Sequence, residues 1–329
     1  MRRFLLRAAA FALIFALVAE AFFRVVVPAR ETPLPWQTPR EGLRCYDAAG
    51  PIDGIFTSGR LAEQRARWQI NPQCWNAPRP YLPAAERDRP VIAVAGDSQI
   101  EGFYVDAEAH LAARLTTLGG GAFETYAYGG SGYKLGQYLL LARYLAAEHI
   151  DPAVLVVFIN RGDFAHAIDA FGARPQSMLT FTWRDGVVGE RPPLPYAVQA
   201  WRRELRNSAL ARYLVFNARL NPFRDAMAEP GVGGALEEDA LVHPAYADIL
   251  RHAIDGMRMA LPTTKLAFVC EAGPIPTSAL IARECAARDC GHLDLTDAFA
   301  HNPHWNAEGH RLVATTLHAW LAARGWLPR

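Results

Sequence analysis

Neither sign of charge dominates this chain: 34 Lys and Arg stand against 33 Asp and Glu in 329 residues. A balance so close to zero argues against nucleic acid or a polyanion as the main partner. Cysteine is scarce, and none of the five is spaced like a tetrahedral zinc site. No metal and no cofactor is expected. Glycine-rich phosphate loops are missing as well, because "GDSQIEG" and "GGSGY" lack the spacing of a dinucleotide or P-loop fingerprint. A nucleotide-binding doubly wound protein therefore ranks last among the readings below. There is no internal repeat and no low-complexity segment.

Long apolar runs are absent except for one. Arg2, Arg3 and Arg7 precede an apolar stretch from Ala8 to Ala19 that continues to Val27, broken only by Glu20 and Arg24. This is an export segment. Arg7 and Arg24 snorkelling to opposite headgroups would let it span as an anchor, while Ala19-Glu20-Ala21 also fits a small-x-small cleavage site. Positive-inside logic sends the chain after about residue 28 across the membrane, for a bacterial-type inner membrane to the periplasmic side. Cysteine usage is compatible with that compartment. The expected disulfides are Cys45 with Cys74 and Cys285 with Cys290, leaving Cys270 over.

Three regions follow: the membrane segment at 1–28, a Pro- and Arg-rich irregular arm at 29–89, and a domain at 90–329. In the domain, short apolar runs beginning near Val91, Phe123, Ala153, Lys265 and His292 read as strands. Residues 107–118, 134–150, 243–261, 277–288 and 306–325 repeat apolar residues at helical spacing. Such alternation predicts an α/β fold with a doubly wound sheet of about five parallel strands, covered on both faces. A large insertion, 163–243, interrupts it after the third strand. It holds a hairpin turning at Asp185-Gly186 and a helix around 200–220. Trp183, Tyr196, Trp201 and Tyr213 in this stretch could stack on sugar rings, although core packing is the commoner use of such residues.

The first domain strand runs into Gly96-Asp97-Ser98. In an open parallel sheet, ligands gather beyond the carboxyl ends of the strands, so Ser98 faces a crevice at the start of a helix whose N–H groups favour an oxyanion. A serine nucleophile needs a base. His304, in the loop after the fifth strand, emerges at the same edge. His310, six residues on, reads as a structural hydrogen-bonding histidine.

Four blocks resemble the SGNH, or GDSL, hydrolases. "GDSQIEG" is similar to their first block, whose serine is the nucleophile, here Ser98, with Asp97 and Gly102 supporting. "YAYGGSGY" is similar to the second, whose first glycine, here Gly129, donates a backbone N–H to the oxyanion. "VVFINRGDF" resembles the third, with Asp163 supporting, and "HWNAEGH" the fifth, which carries the catalytic histidine, here His304. The resemblance covers roughly 90–325 and implies a flavodoxin-like sheet with ester chemistry at its carboxyl edge. It also implies an anchored, exported protein acting on acyl groups of a surface glycan or lipid.

The blocks depart from the family at three places. Ala127 replaces the asparagine of the second block. The oxyanion asparagine position of the third is Gly162, with Asn160 two residues earlier as the replacement donor. The acid that orients the histidine is missing from its usual place, where His301 and Asn302 stand; Asp294 and Asp297 are the substitutes, or Asn302 itself holds the imidazole. Two readings remain open: a serine esterase or transacylase, and a non-catalytic relative that binds glycan or an envelope partner.

Overall fold

The structure is a computed structural model that describes residues 1–50, 52–160, 162–169, 177–220, 243–271, 277–295 and 304–328. Helix α1 (Arg2–Val25) buries none of its residues, and an 18-residue window of it has a mean hydropathy of 2.0. At 1.5 Å per residue it is about 36 Å long, enough to cross a hydrocarbon core of roughly 30 Å.

The arm at 29–89 is not irregular. Strands β1 (Pro35–Gln37) and β2 (Arg44–Tyr46) pair antiparallel, as do β3 (Asp53–Ser58) and β4 (Gln64–Gln69). Three-residue strands are too short to show a period. In β4 arginine and glutamine alternate with Ala66 and Trp68, which turn inward beside Phe56, Ile70 and Phe103. A disulfide joins Cys45 of β2 to Cys74, and the Tyr81 ring stacks on Tyr126 at 4.2 Å. The disulfide closes the arm on itself, and apolar and aromatic burial such as the Tyr81–Tyr126 stack holds the arm to the domain.

The domain is built on β5 (Val91–Gly96), β6 (Glu124–Gly129), β7 (Val154–Ile159), β10 (Lys265–Cys270) and β11 (Gly291–Asp294). Their order is β11-β10-β7-β5-β6, and every neighbouring pair is parallel. All six residues of β5 and of β7 are buried, as expected for strands covered on both faces. Successive side chains go to opposite faces. Ala93, Ala95, Leu155, Val157 and Phe268 pack against α4 (Leu135–Ala147) and the helix Pro244–Ala260, whereas Ile92, Val94, Val156, Phe158 and Val269 meet α3 (Leu111–Leu118) and the helix Ala307–Ala323. Each buried aliphatic side chain contributes about 1.5–3 kcal/mol. Strand order reverses between β5 and β7, so the crevice opens where β5 ends.

Between β7 and β10, strands β8 (Thr180–Arg184) and β9 (Val187–Arg191) form the expected hairpin, with positive φ at both Asp185 and Gly186. Glu190 ties it to the domain by accepting two 2.7 Å bonds from Arg143. The single helix expected near 200–220 is broken into α5 (Ala200–Leu205), α6 (Ala209–Arg212) and a π-turn at Tyr213–Asn217. Ser208 causes the break, since its hydroxyl caps α6 by accepting from Ala211 N at 3.1 Å. The remaining helices are α7 (Pro244–Ala260), α8 (Ser278–Ala287) and α9 (Ala307–Ala323).

Cys285 and Cys290 do not form the second expected disulfide; with Cys270 they are buried free thiols. Cys290 N bonds to Cys285 O at 3.0 Å, and the two thiols are hydrogen-bonded. That hydrogen bond, together with burial, pushes the Cys285 thiol up.

Candidate active site

The turn after β5 is held by backbone and side-chain bonds at short range. Asp97 caps α2 (Ser98–Glu101), its carboxylate accepting from Gln99 N at 3.0 Å. Gly102 ends that helix in the left-handed region at φ 71°, where only glycine is unstrained. Gly129, the last residue of β6, lies so close to α2 that a Cβ there would stand 1.9 Å from Glu101 N. Ser98 is therefore presented on a one-turn helix that cannot shift without moving two strands.

From the other end of the chain, His304 Nε2 stands 3.1 Å from Ser98 Oγ, across a separation of 206 residues. Its loop is tied to α2, because Trp305 N donates to Gln99 Oε1 at 2.9 Å. Trp305 is buried edge-on against Phe158, and Asn306 caps α9 by accepting from Glu308 N and Gly309 N. Tyr104 lies flat on the imidazole at 4.0 Å with an 18° interplanar angle. Burial lowers the His304 pKa below its ordinary value; the Asp97 charge opposes this and the Arg30 charge adds to it. The ring is thus neutral and able to accept a proton at pH 7.

The proposed acids and oxyanion donors are distributed differently. Asp97 receives a short hydrogen bond from Asn160 Nδ2, while Asn160 Oδ1 accepts from Gly162 N at 2.9 Å. One N–H of the Asn160 carboxamide therefore orients Asp97. Asp163 is fully buried and accepts from Asn160 N at 3.1 Å, from Tyr138 OH at 3.0 Å and from Lys134 Nζ at 3.3 Å. Burial pushes its carboxyl up to about 6 against the pull of Lys134. Asp294 accepts from Ser278 Oγ at 2.7 Å, and its charge acts on His292. Asp297 and Asn302 lie outside the described residues. Among the described residues, no carboxylate is hydrogen-bonded to His304.

Reasoning from sequence missed Glu271 and Tyr104. Glu271 directly follows β10 and is buried, its N–H on Ile159 O at 2.9 Å. Burial and the charges of Asp97 and Asp163 push its carboxyl well up, while Lys134, paired with Asp163, pulls the other way. The available signal was a charged residue one step past an unbroken apolar strand. His310 is a structural residue: its Nδ1 accepts from Leu111 N at 3.2 Å, and its ring meets that of His110 at 4.8 Å. Of the four aromatics weighed for sugar stacking, Trp183 donates to Asp248, Tyr213 stacks on Phe23, Tyr196 lies under Arg44, and Trp201 lines a cavity whose wall includes Glu101.

The motif blocks end three adjacent strands and open the last helix, all at one edge of the sheet. The chain has an α/β/α architecture, a five-stranded parallel sheet between two layers of helices. No protein-family model and no curated sequence matches it. Among solved structures it is similar to a carbohydrate esterase family 2 enzyme with a carbohydrate binding domain from Corynascus thermopiles (Myceliophthora fergusii), at 14% identity and TM-score 0.41, covering 74% of this chain and 69% of that one. A carbohydrate acetylesterase family member from Sinorhizobium meliloti is similar at 11% identity and TM-score 0.40, over 72% and 99% of the two chains. A member of the lipolytic protein G-D-S-L family from Veillonella parvula DSM 2008 is similar at 11% and 0.40, over 70% and 98%.

Proposed function

We propose that this chain is a serine ester hydrolase or acyl transferase acting on O-acyl groups of a glycan or lipid, held at the membrane by α1 with its α/β domain on the extracytoplasmic side. The observation that carries the reading is the 3.1 Å approach of Ser98 Oγ to His304 Nε2, made by the two ends of the fold. A hydroxyl within hydrogen-bond reach of a neutral imidazole is the arrangement an activated nucleophile needs. The Cys45–Cys74 disulfide supports export, since such bonds persist in oxidising compartments.

The chemistry runs in two halves. Ser98 Oγ bonds to the ester carbonyl carbon while its proton passes to His304 Nε2 and the carbonyl π pair moves onto oxygen. The N–H of Ser98, at the start of α2, and that of Gly129 are the oxyanion donors. As the carbonyl re-forms, the alkoxide leaves and takes the proton from His304. Water or a sugar hydroxyl then repeats the sequence on the acyl-serine, giving hydrolysis or transfer.

Two observations favour the second reading, a non-catalytic glycan- or partner-binding protein: the engagement of Asn160 with Asp97, and the absence of an acid bonded to His304 among the described residues. The full chain in detergent, treated with a fluorophosphonate and with 4-nitrophenyl acetate, separates the two. Labelling and turnover that vanish in Ser98→Ala and fall about a thousandfold in His304→Ala support the enzyme. An unlabelled, inert native chain supports the binder.

A further inference from the structure

A cavity of about 370 Å³ has Arg30, Arg44, Arg202, Arg206 and Arg212 in its walls against one carboxylate, Glu101 of α2. One carboxylate is outnumbered by five guanidinium groups. Glu101 is buried, with its pKa raised by burial, and it already accepts from Tyr46 OH, Ser131 Oγ and Ser131 N. Two buried guanidinium nitrogens, Arg30 Nε and Arg212 Nε, have no hydrogen-bond partner among the described residues. Arg212 itself is only 6% exposed, and its one carboxylate, Glu31, stands 3.4 Å away. Five guanidinium groups around one cavity with a single carboxylate in its wall leave a surplus of positive charge that suits an anionic ligand.

The position of the cavity says which anion. Arg30 follows the end of α1 by five residues, and α1 packs directly on the cavity wall. Glu20 accepts from Ser208 Oγ, Ala209 N and Leu210 N at 2.8–2.9 Å, Phe23 stacks on Tyr213 at 3.7 Å, and Arg24 donates to Asn207 O. If the arginines at positions 2 and 3 mark one membrane face, the helix reaches Glu20 after about 27 Å, one hydrocarbon thickness. The cavity then lies at headgroup depth, with Trp201 beside it as an interfacial aromatic and with Leu34, Leu205 and Phe216 offering apolar walls.

We infer that this cavity binds the anionic headgroup of a membrane phospholipid, its phosphate facing the guanidinium groups and its glycerol and upper acyl carbons the apolar wall. The inference rests on α1 lying in a membrane and is independent of chemistry at Ser98.

The test is native mass spectrometry of the full chain carrying Ser98→Ala, released from detergent with an equimolar mixture of phosphatidylglycerol and phosphatidylcholine. One phosphatidylglycerol is expected to be retained per chain, preferred at least about tenfold. The Arg202→Gln/Arg206→Gln pair at the partly exposed rim should lose that preference with an unchanged thermal midpoint. Arg203→Gln, exposed and outside the cavity, should keep it within about twofold. Inorganic phosphate and a galacturonic acid trimer should bind at least about tenfold more weakly. Equal retention of the two lipids, an equal loss in Arg203→Gln, or tighter binding of free phosphate or the trimer overturns the inference. Flotation with vesicles checks the anchor separately, so a chain that floats without discriminating between lipids fails this inference alone.

Discussion

The two halves of the Ser98–His304 site are held in different ways. The serine half is fixed by main-chain proximity: β5, the one-turn α2 and β6 lie so close together that Gly129 has no room for a methyl group. The histidine half is fixed by side chains: Gln99 holds Trp305 N, Tyr104 stacks on the ring, and Asn306 starts the helix behind it. A packed backbone tolerates almost no change, whereas a tethered loop can lose one tether and remain in place. The nucleophile is therefore the rigid partner and the base the adjustable one.

Gly129→Ala should break the rigid half with the largest effect. The clash with α2 backbone can be relieved only by moving a helix or a strand, so about 3 kcal/mol or more of stability should be lost, together with the activity. Chemical denaturation and fluorophosphonate labelling measure both. Tyr104→Leu tests the adjustable half. It removes the ring that aligns the imidazole while leaving Ser98 in place, so kcat should fall about tenfold with a stability change under about 1.5 kcal/mol.

The protonation of His304 sharpens the comparison further. Burial and Arg30 lower its pKa, so activity should persist as pH falls below the ordinary histidine value of about 6.5 and be lost only in more acidic solution. Arg30→Gln removes the charge that adds to burial in lowering the His304 pKa and should move the acid limb of the kcat/KM profile upward.

The smallest effect concerns the other histidine of the same motif. His110 and His310 are held neutral by burial, with pKa values pulled down to about 4 and about 2. Between pH 6.5 and about 4 the unfolded chain takes up protons that the folded chain refuses, so this pair costs stability as pH falls through that window. His310→Gln should lower Tm at pH 8 by a few degrees and flatten the dependence of Tm on pH between 6.5 and 4.

Much of the frame was legible because its causes are local. The unbroken apolar runs at Val91 and Val154 can only be doubly covered strands, the Asp185-Gly186 pair can only turn a hairpin, and "GDS" after a strand points to a helix-start serine. The arm was not legible, since β1 and β2 are three residues long and β4 alternates arginine and glutamine with its two inward side chains. The pairing of Cys285 with Cys290 failed for a related reason: closeness in sequence does not set the side-chain geometry a disulfide needs.

By itself, the sequence determined the alternation of the domain's parallel strands with its main helices and the hairpin turn, because hydrophobic period and turn chemistry act over a few residues. Only the tertiary structure decided that Asn160 orients Asp97, that the charges of Asp97 and Asp163 act on Glu271, and that arginines from the arm and from α5 and α6 share one cavity. Those meetings join residues dozens to hundreds of positions apart, and such distances are set by strand order and helix packing, which no local pattern encodes.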